Sequence, residues 1–146
     1  MGNLKLTSSA FSDGDEIPRE CGYKNGNKGP PLTVNGIPEG TESLTLIMDD
    51  PDAMGAVGKV WVHWVAWNID PTNTALENLT TEGVTDFGEV GYGGPAPPDK
   101  RHTYVFKLYA LDSELDLPGK STKADVEKAM EGHIIEQATL TGTYAP

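Results

Sequence analysis

The sequence predicts a single β-rich domain, and three observations carry that expectation. The chain has 146 residues, a length suited to one core that needs no covalent staples. Its 17 glycines and 11 prolines cluster between short apolar runs, the pattern of many strands joined by specified turns. Two of those runs, Trp61–Ile69 and His102–Leu111, are rich in Trp, Val, Tyr and Phe and are of strand length. One domain over residues 1–146 is therefore expected.

Taken in order, Leu4–Leu6 reads as a first strand. Asp13–Pro31 is turn-rich, with Asn25-Gly26 and Gly29-Pro30-Pro31 as its strongest signals. Leu32–Val34 and Ser43–Met48 follow as strands, separated by NGIPEGT. Trp61–Ile69 is apolar on both sides, which places it in the middle of the domain. Simple alternation puts Trp61, His63, Val65, Trp67 and Ile69 on one face and Val62, Trp64 and Ala66 on the other. The same rule puts His102, Tyr104, Phe106, Leu108 and Ala110 on one face of the next strand. Thr122 and Asp125 form a capping-box pattern before an apolar stripe of Val126, Ala129 and Met130, and Gly132 suits a helix end. A second short helix is weakly signalled over Asn73–Leu79. A last strand is expected over His133–Thr143.

Composition removes several function classes. The net charge is −11 and the pI is near 4.5, so no basic face exists to track phosphates and nucleic acid is not an expected partner. The plain reading of the charge is solubility. Cys21 is the only cysteine, which excludes an internal disulfide and a thiolate zinc cluster. No segment reads as a signal peptide, a membrane span or an amphipathic anchor, so a cytoplasmic setting without membrane insertion is the expectation.

Two segments concentrate the polar chemistry. MDDPDAMGAVGKVWVHWVAWNI carries Asp50, Asp52 and His63; GYGGPAPPDKRHTYVFKLYALD carries Gly93, Pro95, His102 and Tyr104. In each, a Gly/Pro-rich loop leads into a strand that has a histidine near its start. Imidazoles, a phenol and the amides of Gly91–Gly94 are donors suited to phosphate or carboxylate. An aspartate could orient an imidazole or accept from a ligand ammonium, so a phosphate joined to an amine would match both halves.

A metal site is the sharpest rival, although the spacing matches no local ligand motif such as HExxH. No serine has a nucleophile-elbow setting, and Cys21 reads as a small apolar filler. His63 among three tryptophans also reads as a hydrogen-bonded core histidine, His102 as a solvated loop end, and His133 as a capping residue.

Together these segments resemble the phosphatidylethanolamine-binding protein family, also called the Raf kinase inhibitor-like proteins, in its short bacterial and archaeal branch. FSDGDEIP, NGNKGPPL, EGTESLTLIMDDPDA, WVHWVAWNI, GYGGPAPPDKRHTYVFKLYALD and EGHIIEQATLTGTY follow the family pattern in order over nearly the whole chain. The resemblance implies an all-β-dominated antiparallel β-sandwich of two sheets with Greek-key features and one or two short helices. It implies a small pocket holding Asp50, Asp52, His63, Gly93, Pro95, His102 and Tyr104, with phosphate, carboxylate or phosphorylethanolamine as ligand and no cofactor. It also implies a kinase or protease as a protein partner, and it allows for a homodimer. An enzyme using His63 and Asp50 as an acid–base pair, or a metal site, is the alternative.

The chain departs from the pattern in four places. DPDAP reads DPDAM, with Met54 where the family holds a cis proline. A cis bond before a non-proline residue costs about 2.5–4 kcal/mol, so Ala53–Met54 is expected to be trans, with a rearranged rim. HRY reads HTY, with Thr103 pointing away from the pocket. GGPCPP reads GGPAPP, with Ala96. TCDG reads GYKN at Gly22–Asn25.

Overall fold

The computed structural model describes residues 3–77, 79 and 81–146. The strands are β1 (Lys5–Thr7), β2 (Thr33–Asn35), β3 (Ser43–Asp50), β4 (Trp61–Ile69), β5 (His102–Leu111) and β6 (Ile134–Tyr144). The helices are α1 (Ala53–Val57) and α2 (Lys123–Met130). They form an antiparallel four-stranded sheet of order β4-β3-β5-β6 and a separate β1-β2 pair. The path from β4 to β5 crosses β3, so the sheet is not a simple meander.

The two faces of the large sheet bury separate cores. On one, Leu44, Leu46, Met48, Phe106 and Leu108 pack with Leu6 and Val34 of the small sheet and with Phe11 and Ile17 of the N-terminal segment. On the other, Ile47, Val65, Trp67 and Leu111 pack with Val126 and Met130 of α2. The alternation read for β5 holds, since Tyr104, Phe106, Leu108 and Ala110 all enter the first core. The capping box forms: Asp125 N donates to Thr122 Oγ1 at 3.2 Å and Thr122 N to Asp125 Oδ2 at 3.0 Å. Gly132 then takes φ 81° directly after the helix, a conformation that favours glycine.

Two expectations are corrected. Residues 73–77 and 79 form no helix. Val34 N donates to Thr74 O, Leu76 N donates to Leu32 O, and Thr33 pairs with Ala75, so the segment spends its backbone bonds as an extension of the small sheet. Strict alternation also fails in β4. Met48 pairs with Trp64 and Asp49 with Val62, which leaves His63 as the extra residue of a bulge. His63 therefore leaves the face of Val65 and Trp67 and joins the side on which Tyr104 lies. The bulge also sends Val62 to the side of Val65 and Trp67, and a second irregularity, between the Leu44–Ile69 and Leu46–Ala66 pairs, puts Ile69 in the core of Trp64 and Ala66, against simple alternation.

The neighbouring aspartates at the end of β3 part in the same way. Asp49 turns toward α2, where its Oδ2 accepts from Lys123 at 2.8 Å and Lys107 at 3.2 Å. Asp50 turns to the opposite side. The Ala53–Met54 bond is trans, and the residues after Asp52 wind into α1, which ends at Gly58 with φ 80°.

Candidate functional site

Asp50, His63 and His102 meet at a cavity of about 230 Å3. Asp50 comes from the end of β3, His63 from the bulge of β4 and His102 from the first residue of β5. Apolar walls come from Ala53, Ala56 and Val57 of α1, from Trp61 and Phe87, and from Ala96 and Pro98 of the Gly/Pro loop. A larger groove of about 550 Å3 lies between residues 28–33 and residues 75–77 and 79, but it holds no histidine among the described residues, and its Glu82 already accepts from Trp64 Nε1 at 2.8 Å. The smaller cavity has the chemistry.

His102 is held at both nitrogens. Nδ1 stands 2.6 Å from Asp50 Oδ2 and Nε2 stands 2.7 Å from Asp99 Oδ1. A carboxylate only accepts, so both ring nitrogens carry protons and the ring is an imidazolium. Burial works against that charge, and the hydrogen bonds that the ring donates to Asp50 and Asp99 outweigh it, holding the pKa above its ordinary value. Asp99 is correspondingly held below the usual carboxylate value. Its partial desolvation is outweighed by the bonds from His102 and the Lys100 amide.

His63 has the opposite character. Its Nδ1 lies 2.7 Å from the Gly93 carbonyl oxygen, so that nitrogen donates and Nε2 carries the lone pair of the neutral ring. Burial pushes its pKa down against the opposing pull of Gly93 and Asp50. Gly93 N returns a bond to the His63 carbonyl at 2.8 Å, so strand and loop are tied in both directions. A side chain at Gly93 would collide with the Phe87 ring. That ring stands edge-on to His63 at 5.3 Å and stacks on Tyr23 at 4.0 Å.

The remaining residues picked from sequence occupy supporting places. Tyr104 lies beside both histidines, with ring centroids 5.1 Å from His63 and 6.3 Å from His102. Its Oη is buried near the Asp50 carboxylate and the Ala96 backbone, makes no well-formed hydrogen bond among the described residues, and lies outside the cavity lining. Burial, then the nearby Asp50 charge, push its pKa far up, so it remains a phenol. Asp52 is outside the cavity lining; its Oδ2 accepts from Thr103 N at 2.8 Å and joins the start of α1 to the start of β5. Pro95 lines a neighbouring cleft with Arg19 and Tyr144, and its carbonyl accepts from Tyr23 N at 2.9 Å.

Several participants escaped the sequence reading. Asp99 had a local signal, a carboxylate three residues before a strand-opening histidine. Trp61 lines the cavity, and its buried Nε1 also has no partner among the described residues. The GYKN segment, which breaks the family pattern, leads into Asn27, which buttresses the Gly/Pro loop. Asn27 Oδ1 accepts from Gly94 N at 2.7 Å and its Nδ2 donates to Tyr92 O at 3.1 Å. Phe87 and Tyr23 had no signal, because their roles arise only when distant loops meet.

The His63–Asp50 acid–base pair is not formed: Asp50 bonds His102, and His63 bonds a carbonyl. Among the described residues, no three His, Cys, Asp or Glu side chains are placed to hold a metal ion. No helix among them is long and apolar enough to cross a membrane.

A family profile described as phosphatidylethanolamine-binding protein matches residues 7–145. A UPF0098 protein of Methanothermobacter thermautotrophicus is 43% identical, with 97% of this chain and 98% of that protein covered. Among solved structures, a phosphatidylethanolamine-binding protein homologue from Chlamydia trachomatis superposes with a TM-score of 0.91 at 38% identity, covering 97% and 96% of the two chains. YbcL of E. coli, described as a new member of the mammalian family, superposes at 0.88 with 31% identity and 98% of each chain covered.

Proposed function

The chain belongs to the phosphatidylethanolamine-binding protein family, and we propose that it binds a small phosphate- or carboxylate-bearing head group in the cavity between His63 and His102. The observation that carries this reading is the unspent polar edge of the cavity wall. His63 Nε2 is the unprotonated nitrogen of a lining ring, the lining residue Trp61 has a buried Nε1 without a partner among the described residues, and Tyr104, outside the lining, stands beside both histidines. A buried donor left unpaired costs about 1–3 kcal/mol, a cost that a ligand oxygen would remove. Neutral His63 suits a ligand oxygen that still carries a proton, which favours a monoanion such as dihydrogen phosphate or a singly protonated phosphate monoester. The cavity volume fits a head group rather than acyl chains, in keeping with a chain that works in the cytoplasm.

Regulation of a kinase or protease would follow from this binding if a partner's phosphorylated or carboxylate-bearing side chain were the ligand. Family membership is what supports that extension. The geometry favours binding over acid–base catalysis, because both nitrogens of His102 and one of His63 are already committed.

Titration calorimetry with inorganic phosphate and O-phosphorylethanolamine tests the reading. Saturable binding to the wild type, weakened in His63→Ala and in His102→Ala, is expected. Absence of binding to the wild type, or binding by both variants as tight as the wild type's, would overturn it.

A further inference from the structure

We propose that Asp99 is a built-in competitor for the ligand: its carboxylate occupies the His102 Nε2–H that an incoming anion would take, and the ligand must displace it. The proposal rests on the anion-binding reading above and adds selectivity to it.

The first observation is the contact itself. Asp99 Oδ1 lies 2.7 Å from Nε2, the separation of a charge-assisted hydrogen bond, so an anionic oxygen already sits on this donor. The second is how little else Asp99 holds. Its side chain is 44% exposed, and its remaining side-chain bond is to the adjacent Lys100 N–H at 2.9 Å. Asp50, by contrast, is buried and also accepts from Asp52 N at 3.0 Å, so it is the fixed partner and Asp99 the removable one. The third is position. Pro98, next to Asp99, lines the cavity together with His102, so the contact lies beside the cavity, with His102 shared between them and Asp99 outside the lining.

Charge gives the competition its direction. Two carboxylates face one imidazolium while His63 is neutral, so a ligand anion arriving with Asp99 in place meets a surplus of negative charge. When Asp99 turns into water, the Asp50–His102 pair is neutral overall and Nε2–H is free. A carboxylate tethered three residues away competes at an effective concentration on the order of millimolar. A simple carboxylate is chemically equivalent to Asp99 and cannot win below that level. A phosphoryl group brings more oxygens, able to engage His102 together with the unpaired donors, and can win. The class of ligand selected is therefore a phosphate monoester or phosphate, with plain carboxylates excluded.

The test is titration calorimetry of the full chain with inorganic phosphate and with acetate, using the wild type, Asp99→Ala, Asp99→Asn and an equal-charge control, Asp116→Asn, at an exposed site. Phosphate affinity should rise about tenfold in Asp99→Ala, the worth of one hydrogen bond to a charged group that no longer has to be displaced, with Asp99→Asn between. Acetate binding should become measurable in Asp99→Ala, and Asp116→Asn should match the wild type. Equal or weaker phosphate binding by Asp99→Ala with an unchanged thermal midpoint would overturn the proposal, as would an equal gain in Asp116→Asn. If Asp99→Ala fails to fold, the exposed and isosteric Asp99→Asn decides by the same criterion. Binding by the wild type without gain in the variants overturns this proposal alone; no phosphate binding by any of the chains overturns the anion-binding reading with it.

Discussion

His102 Nδ1 stands 2.6 Å from Asp50 Oδ2, and both side chains are buried, so the end of β3 and the start of β5 are joined by an enclosed ion pair. Removing Asp50 leaves the buried His102 charge with only the half-exposed Asp99 to balance it. Asp50→Asn should destabilise the fold by about 3–5 kcal/mol, seen as a lowered urea midpoint. A loss below about 1 kcal/mol, the range of an exposed pair, would mean that the pair is not enclosed in solution.

The two cavity histidines should give stability opposite slopes with pH. The pKa of His102 is raised above 6.5, so its contribution is fully present below that value and is lost as pH rises through the raised pKa. The pKa of His63 is lowered below 6.5 by burial, so the contribution of its neutral form is present above that value and is lost as pH falls through the depressed pKa. Asp99, held below 3.8, adds a further loss only at more acid pH. Urea midpoints measured across pH should therefore peak between the two histidine transitions. His102→Gln should flatten the alkaline limb and His63→Gln the acid limb; limbs unchanged by these substitutions would contradict the assignments.

Tyr104 separates stability from binding. Its Oη is buried and makes no well-formed hydrogen bond among the described residues, so Tyr104→Phe removes a poorly satisfied group without opening a cavity. The variant should be as stable as the wild type or more stable by about 1 kcal/mol, while its affinity for phosphate falls. A clear loss of stability would mean that the hydroxyl has a partner in solution.

Much of this was legible from residue order, and the failures have physical causes. β4 and β5 were readable because their apolar runs are long and bounded by turns, and α2 because its cap is a local contact between Thr122 and Asp125. The facing of His63 was not readable, since a bulge is set by pairing with β3 and leaves no mark in the alternation of β4 itself. The false helix at Asn73–Leu79 failed for a related reason: its backbone groups find partners in residues 32–34, more than thirty positions away. In the site, the two motif histidines and Asp50 came from sequence. Asp52 and Pro95 share the motifs but serve the loops around the cavity.

Gly94 tests the docking of the Gly/Pro loop. A Cβ there would run into the carbonyl of Cys21 and crowd the Tyr23 amide, both backbone atoms that cannot swing away. Gly94→Ala should cost about 1–3 kcal/mol through this overpacking and, by shifting the loop that carries Ala96 and Pro98, weaken phosphate binding as well. Wild-type stability in Gly94→Ala would show that the loop stands off from residues 21–23.

The central claim is that the unspent polar atoms beside His63 receive an anion. A crystal structure of the protein grown with inorganic phosphate tests it most directly. The account predicts a phosphate in the cavity lined by Asp50, His63 and His102, within hydrogen-bond distance of His63 Nε2. A well-ordered cavity containing only water at saturating phosphate, or phosphate bound solely elsewhere on the molecule, would contradict it.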